Sequence, residues 1–304
     1  MLRALALLVC GVLAACAAPR GHLSAEAVPE AAIDDVPFFA QEEKHCGPAS
    51  LAMVLAWSGL DITPTDTAPL LLTPERGGTF QHDLLAGARR YGRLAVELDQ
   101  PADLLPEIAA GNPVLVLQNL GLGWYPVWHY AVATGYDLSA GELVLHSGRD
   151  RRRVMSLGTF ERTWARAGHW GVVVLPPERL PASGHERQLL EAAADLERAE
   201  EPDAAAAAYS AILERWPMSE GALIGLGNAS YARGDVAAAE HALRRAILLH
   251  PGAAAAWNNL AHVLLERGFA RQAMAAARTA VALGGPHVAR SRATLREIVG
   301  PTAG

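Results

Sequence analysis

Three residues of this 304-residue chain have the types and setting for thiol chemistry: Cys46, the glutamine Gln41 shortly before it, and the distant histidine His129. Cys46 stands where the polar stretch Gln41-Glu42-Glu43-Lys44-His45 runs into an apolar one, Gly47-Pro48-Ala49-Ser50-Leu51-Ala52-Met53-Val54-Leu55-Ala56-Trp57-Ser58-Gly59. Pro48 suits a first helical turn, where its missing N–H costs nothing. Leu51, Val54, Leu55 and Ser58 then keep helical spacing, and Gly59 can close the end. The cysteine is therefore expected at a helix N-terminus. Unpaired N–H groups and the positive end of the macrodipole favour the thiolate there, and the thiolate is the nucleophile. A free cysteine on its own is usually an inert core residue, so the case for catalysis needs the other two. A side-chain amide such as Gln41, with a backbone N–H at the helix start, can hold an oxyanion, and His129 can pair with the thiolate as its base.

His129 must be carried back to Cys46, and the sequence after the first helix supplies the elements. From Leu94 the period changes. Leu94-Ala95-Val96-Glu97-Leu98 alternates as a strand, 102–110 reads as a short helix, and Pro113-Val114-Leu115-Val116-Leu117 as a buried strand. The aromatic loop Gly121-Leu122-Gly123-Trp124-Tyr125-Pro126 leads into a strand over 128–137, where the small residues Ala131 and Ala133 share the face of His129 and leave room beside the imidazole. A turn around Ser139-Ala140-Gly141 returns the chain through Glu142-Leu143-Val144-Leu145-His146-Ser147-Gly148 as a hairpin.

Other segments frame this hairpin. Thr79 is expected to cap a helix through Tyr91, with 61–78 as an irregular loop before it. Phe160 and Trp164 suggest a packed helix, and 170–175 a last strand. Arg149 to Arg153, interrupted by Asp150, reads as a solvated hairpin end, and Arg76-Gly77-Gly78 as a turn rather than a phosphate loop. Helices first and antiparallel strands afterwards imply an α+β domain.

A net charge of -6, with arginine supplying nearly all the positive charge, argues against a nucleic-acid role. The hydrophobic fraction of 51% is raised by alanine and does not imply a membrane span. Met1-Leu2-Arg3 and the apolar run 4–15 form an export signal too short to cross a bilayer as a stable helix. Its end, Leu13-Ala14-Ala15-Cys16, resembles the bacterial lipobox, in which cleavage before the cysteine leaves that residue to be lipidated. By resemblance to Gram-negative lipoproteins, Ala17 after Cys16 favours sorting to the outer membrane, facing the periplasm. Residues 17–35, rich in Ala, Pro and Glu, read as a flexible tether. Of three cysteines, Cys10 leaves with the signal and Cys16 takes lipid, so Cys46 has no disulfide partner and no cysteine-rich metal site.

Pro176-Pro177 opens a linker to His185, and beyond it the residues repeat. Pro217 recurs as Pro251, Leu226-Gly227 as Leu260-Ala261, Gly234 as Gly268 and Ala239 as Ala273, each thirty-four positions on. This period and these small residues resemble the tetratricopeptide repeat. In a partial earlier copy Tyr209 matches Leu243, although Glu200 stands where the helix-joining glycine belongs. The segment 287–299 would be the terminal capping helix. The expected division is a signal peptide at 1–15, a lipidated N-terminus and tether at 16–35, a catalytic domain at 36–175, a linker at 176–185 and an all-α repeat solenoid at 186–304.

Residues 41–49 and 129–137 together resemble the bacteriocin-processing, double-glycine leader peptidase family and its stand-alone relatives. The resemblance implies a papain-like α+β fold, with Cys46 as nucleophile, His129 as base and Gln41 as oxyanion donor. Neither Arg76-Gly77-Gly78 nor the run from Arg149 to Arg153 indicates a nucleotide or metal cofactor, and none is expected. The family usually places an aspartate on the strand after the hairpin to orient the histidine, whereas His146-Ser147-Gly148 occupies that place here. Hairpin register decides whether His146 or Ser147 lies beside His129, and a one-residue slip exchanges them. His146 is taken as the third member, since its ring nitrogen can accept from or donate to another imidazole.

Three functions follow. The first is a membrane-anchored thiol peptidase that cleaves a peptide bond through an acyl-enzyme, with the repeats recruiting a peptide or protein substrate or a protein partner. The second is a cysteine amidase acting on cell-wall peptides. The third is an inactive interaction module, against which the intact Gln41, Cys46 and His129 count.

Overall fold

The computed structural model describes residues 28–41, 45–72 and 78–299. The expected signal peptide, Cys16 and most of the tether, together with Lys44 and the Arg76-Gly77 part of the turn, lie outside the described residues. In chain order the first elements are β1 (Glu30–Ala32), α1 (Cys46–Trp57), α2 (Pro64–Leu71), α3 (Gln81–Arg90), β2 (Leu94–Glu97) and α4 (Leu104–Ala109). There follow β3 (Val114–Asn119), β4 (Trp128–Asp137), β5 (Glu142–Ser147), β6 (Asp150–Ser156), α5 (Leu157–Ala165) and β7 (Gly171–Leu175).

The apolar alternation of 94–175 builds one antiparallel sheet in the order β2-β7-β3-β4-β5-β6, and β1 pairs with the far end of β4 through Glu30↔Asp137 and Ala32↔Gly135. The central strand β3 is buried along its whole length, as its unbroken apolar start requires. Helix α1 is apolar on every side, and a helix of that kind belongs inside a core. Its residues 51–55 have no exposed surface, and it packs on β4, β3 and β7 with α2 and α3 beside it. Helix α1, which begins with Cys46, thus packs on β4, the strand that carries His129.

Three segments differ from the expectations. The loop at 61–78 contains α2, whose start is a capping box in which Asp66 accepts from the Thr63 N–H at 2.8 Å and from the Thr63 hydroxyl. The next helix starts after Phe80, whose N–H reaches Asp83 at 3.3 Å, and Thr79 does not cap it. The arginine run is a strand, β6, on the edge of the sheet, and part of the expected tether is the short strand β1, paired through β4.

Residues 186–299 form helices joined by short turns: α6 (Glu186–Arg198), α7 (Pro202–Arg215), α8 (Glu220–Ala232), α9 (Val236–Leu249), α10 (Ala254–Glu266), α11 (Ala270–Leu283) and α12 (Val288–Val299). Successive helices pack as antiparallel pairs, each burying small residues such as Ala239, Ala273 and Ala277 against its neighbour. Segment 176–185 is pinned rather than loose. The buried carboxylate of Glu107 accepts from the N–H groups of Ala182 and Ser183 at 3.2 and 2.7 Å, while Arg215 donates to Pro181 O at 3.0 Å. Helix α6 also packs on β2, and an Arg89 to Asp195 ion pair joins α3 to α6.

The repeat register is visible in backbone angles. Gly234 and Gly268 turn between paired helices at φ 84° and 80°, and Glu200, thirty-four residues before Gly234, adopts φ 61° in the same place. A side chain in this left-handed region costs about 1 kcal/mol that glycine does not incur. Glu200→Gly should therefore raise the melting temperature by about 2–4 °C in a calorimetric scan. An unchanged or lower value would mean that Glu200 is relieved by contacts its side chain makes.

Candidate active site

Cys46 is the first residue of α1 and is partly buried. The His45 side chain makes no capping hydrogen bond to this helix, Pro48 has no N–H to give, and Ala49 N donates to His45 O at 3.1 Å, so the backbone donors of the helix start come from the residues before Pro48. Gly47 is dictated by packing. A Cβ there would come within 2.5 Å of Thr79 Oγ1 and 2.6 Å of Thr79 Cβ, so only glycine lets the helix start lie against Thr79. The same residue receives a second contact from the sheet, since the Tyr130 hydroxyl donates to Thr79 O at 3.2 Å.

Gln41 is buried and ties three elements together. Its Nε2 donates to Ser50 Oγ at 3.0 Å, one turn into α1, and to Tyr130 O at 3.1 Å, beside His129 on β4. Its Oε1 accepts from Gly148 N at 2.9 Å, and its own N–H donates to Gly148 O at 2.8 Å, fixing the turn after Ser147. The elements that bear Cys46, His129 and Ser147 thus meet at one side chain. Both amide hydrogens of Gln41 are already engaged, so in this state it acts as a clamp, and an oxyanion would have to displace one of those partners.

His129 sits near the start of β4, where its Nε2 lies 2.9 Å from Ser147 Oγ. Burial, and then the positive charge of Arg153, push its pKa below the ordinary 6.5, so the neutral imidazole is favoured. Its neighbour Tyr130 packs edge-on against Trp170. Burial raises the Tyr130 phenol, and negative charge on Cys46 and Asp83 adds to this.

His146 is not brought to His129, and the expectation that it is the third member is corrected. Its Nε2 lies 3.1 Å from Val36 O and its ring packs edge-on against Phe38. The cause is a bulge. The β4–β5 ladder pairs Gly135 with Val144 but Ala133 with Leu145 and Val132 with His146, so Thr134 is an extra residue in β4. Without it, Ala133 would face His146 and put that ring on the side of His129. With it, Ser147 takes that side. Of the residues singled out from sequence, the fold gathers Cys46, Gln41 and His129 around α1 and β4, moves His146 away, and has Cys16 outside the described residues. Ser50, Thr79 and Arg153 were not anticipated. Helical spacing from Cys46 could have found Ser50, while the other two depend on tertiary packing.

Gly47→Ala should gain helix propensity yet lose stability and disturb Cys46, because its methyl would overlap three Thr79 atoms. A drop in melting temperature and in Cys46 reactivity, both partly restored by adding Thr79→Gly, is the expected result. A Gly47→Ala protein as stable and reactive as wild type would show that this contact does not set the position of the thiol.

Residues 33–172 match the Peptidase_C39 like family, and residues 190–240 and 224–288 match the tetratricopeptide repeat. No curated protein matches the chain. Among solved structures, one described as a C39-like peptidase from Bacillus anthracis is 19% identical, covering 48% of this chain and 97% of that one at a TM-score of 0.43. The repeats are similar to the Yersinia enterocolitica type III secretion chaperone SycD in complex with a peptide of the translocator YopD, at 19% identity over 37% of this chain and 91% of that one, TM-score 0.35. They are also similar to the first tetratricopeptide domain of Spaghetti (RPAP3) bound to an HSP90 peptide, at 17% identity over 38% and 90% of the two chains, TM-score 0.35. The chain therefore joins a segment that matches the Peptidase_C39 like family, residues 33–172, to segments that match the tetratricopeptide repeat, a class of repeat whose stacked helices present surfaces for protein interaction.

Proposed function

We propose that Cys46 is the nucleophile of a cysteine-type peptidase that cleaves a peptide bond through an acyl-enzyme. The observation that carries this reading is the clamp of Gln41, whose bonds to Ser50, Tyr130 O and Gly148 draw the cysteine helix, the histidine strand and the Ser147 turn to one point. In the first step His129 accepts the thiol proton while sulfur attacks the carbonyl carbon, and N–H groups of the α1 start hold the oxyanion. His129 then returns the proton to the leaving amine as the C–N bond breaks. Water attacks the thioester, giving its proton to His129, and the acid leaves as the thiol reforms. Ser147 orients the imidazole through Nε2 and supplies no charge. Gln41 positions the parts first, and would lend an N–H to the oxyanion only by releasing Ser50 or Tyr130 O.

The repeats would recruit the substrate or a protein partner, and lipid on Cys16 would hold the enzyme at a membrane, with the outer membrane facing the periplasm as the expected site. Cys16→Ser should then move the protein from the membrane to the soluble fraction. A second reading, an inactive interaction module, has one observation in its favour. The group beside His129 is an uncharged serine, and Arg153 adds positive charge where a carboxylate would support an imidazolium.

A peptide library incubated with the protein and read by mass spectrometry separates the two readings. Wild type should release fragments, Cys46→Ala and His129→Ala should release none, and Ser147→Ala should lose about fivefold to tenfold, the worth of one neutral hydrogen bond of about 1 kcal/mol. The base must be neutral, and its pKa lies below 6.5, so activity should persist as pH falls below 6.5 before it is lost. Cleavage that survives Cys46→Ala, or no cleavage and no acylated Cys46 in wild type, would contradict the peptidase reading.

A further inference from the structure

The strand order β2-β7-β3-β4-β5-β6 ends in two edge strands, and the chain treats them differently. Edge β2 is covered, since α6 packs on it and Gln188 Nε2 donates to Glu97 O at 2.6 Å. Edge β6 pairs with β5 on one side, while residues 150–154 are exposed, Val154 at 54%. Such an edge presents alternate N–H and C=O groups to any further strand. Edges are commonly guarded against self-pairing by brevity, proline, bulges or charged side chains, and of these β6 has its charges and a register shift against β5 between Leu145 and Ser147. Strand β6 is seven residues long, has no proline and carries Arg151, Arg152 and Arg153 in a row, with Arg149 in the turn before it. Against these stand two acidic groups, Asp150 at the strand start and the exposed Asp34, which pairs with Arg152 at 3.0 Å. In a chain of net charge -6 this is a local concentration of positive charge that repels a second copy of itself. It also reaches the site: Arg153 pairs with Leu145, on the side of Ser147, and its charge acts on His129.

We infer that β6 binds an extended acidic peptide segment as an added strand beside the Cys46 site. The edge N–H and C=O groups would hold its backbone, and the arginines its carboxylates. An anionic membrane surface would satisfy the arginines but not the row of backbone groups, which is why the edge favours a peptide. The inference names the class of peptide that the thiol site would receive, and to that extent rests on the peptidase reading, although binding requires no cleavage.

The full chain carrying Cys46→Ala is titrated with a fluorescent peptide of alternating Glu and Val, with its Lys and Val counterpart, and with the acidic peptide N-methylated at alternate residues. The acidic peptide should bind, more weakly as salt rises, and the basic one should not. N-methylation and the pair Arg151→Ser with Arg153→Ser should each cost about tenfold, while the corresponding Arg→Lys pair retains most of the affinity. Circular-dichroism melting checks that the variants are folded. Equal binding of the N-methylated peptide, indifference to the arginine substitutions in folded protein, or capture by phosphatidylglycerol vesicles with no saturable peptide binding would overturn the inference. Cleavage by wild type without acidic-peptide binding would remove this inference and keep the peptidase reading. Binding by Cys46→Ala without cleavage by wild type would do the reverse.

Discussion

Everything at this site depends on the hydrogen bonds of one buried amide. Gln41 bonds to the first turns of α1, to the backbone beside His129 and to both backbone groups of Gly148. Each of these partners belongs to a different element, and none is close to the others in sequence. A side chain with two donors and an acceptor suits that task, because the Tyr130 carbonyl it meets is buried and the Gly148 N–H partly so, and leaving either unpaired is costly. A hydrocarbon in its place would leave the Gly148 N–H and the Tyr130 carbonyl without these partners. The residue that the family resemblance marks for the transition state is thus also the one that assembles the ground state.

Much of this was legible in the sequence. Helix α1, strands β3 to β5 and the thirty-four-residue register could be read because period and glycine placement are local properties. Cys46, Gln41 and His129 stood out for the same reason. What escaped was set by pairing. The bulge at Thr134 decides between His146 and Ser147, and nothing in the residue types of the hairpin announces it. Strand β1 is three residues long, and helix α2 is masked by Pro69 although its capping box is written in Thr63 and Asp66. The arginines of β6 looked like a solvated turn because a charged edge strand has the composition of one.

The electrostatics of the site follow from the bulge as well. Placing Ser147 beside His129 gives the imidazole a neutral partner, and placing Arg153 on the same side of the ladder gives it a positive one. Together with burial, these favour the neutral imidazole of His129. In the peptidase proposed above, charge would then separate mainly as the substrate reacts, and the oxyanion would depend on backbone donors at the start of α1. The same positive edge that restrains His129 is the one an acidic peptide could neutralise.

The central claim is that Gln41 makes Cys46 and His129 one unit. Its most direct test is the rate at which iodoacetamide alkylates Cys46 at neutral pH in wild type, Gln41→Met, His129→Ala and the double variant, read by peptide mapping. The account predicts that both single substitutions slow alkylation and that the double variant is no slower than His129→Ala, because Gln41 acts through the histidine strand. Alkylation of Gln41→Met at the wild-type rate, or effects that multiply in the double variant, would contradict it.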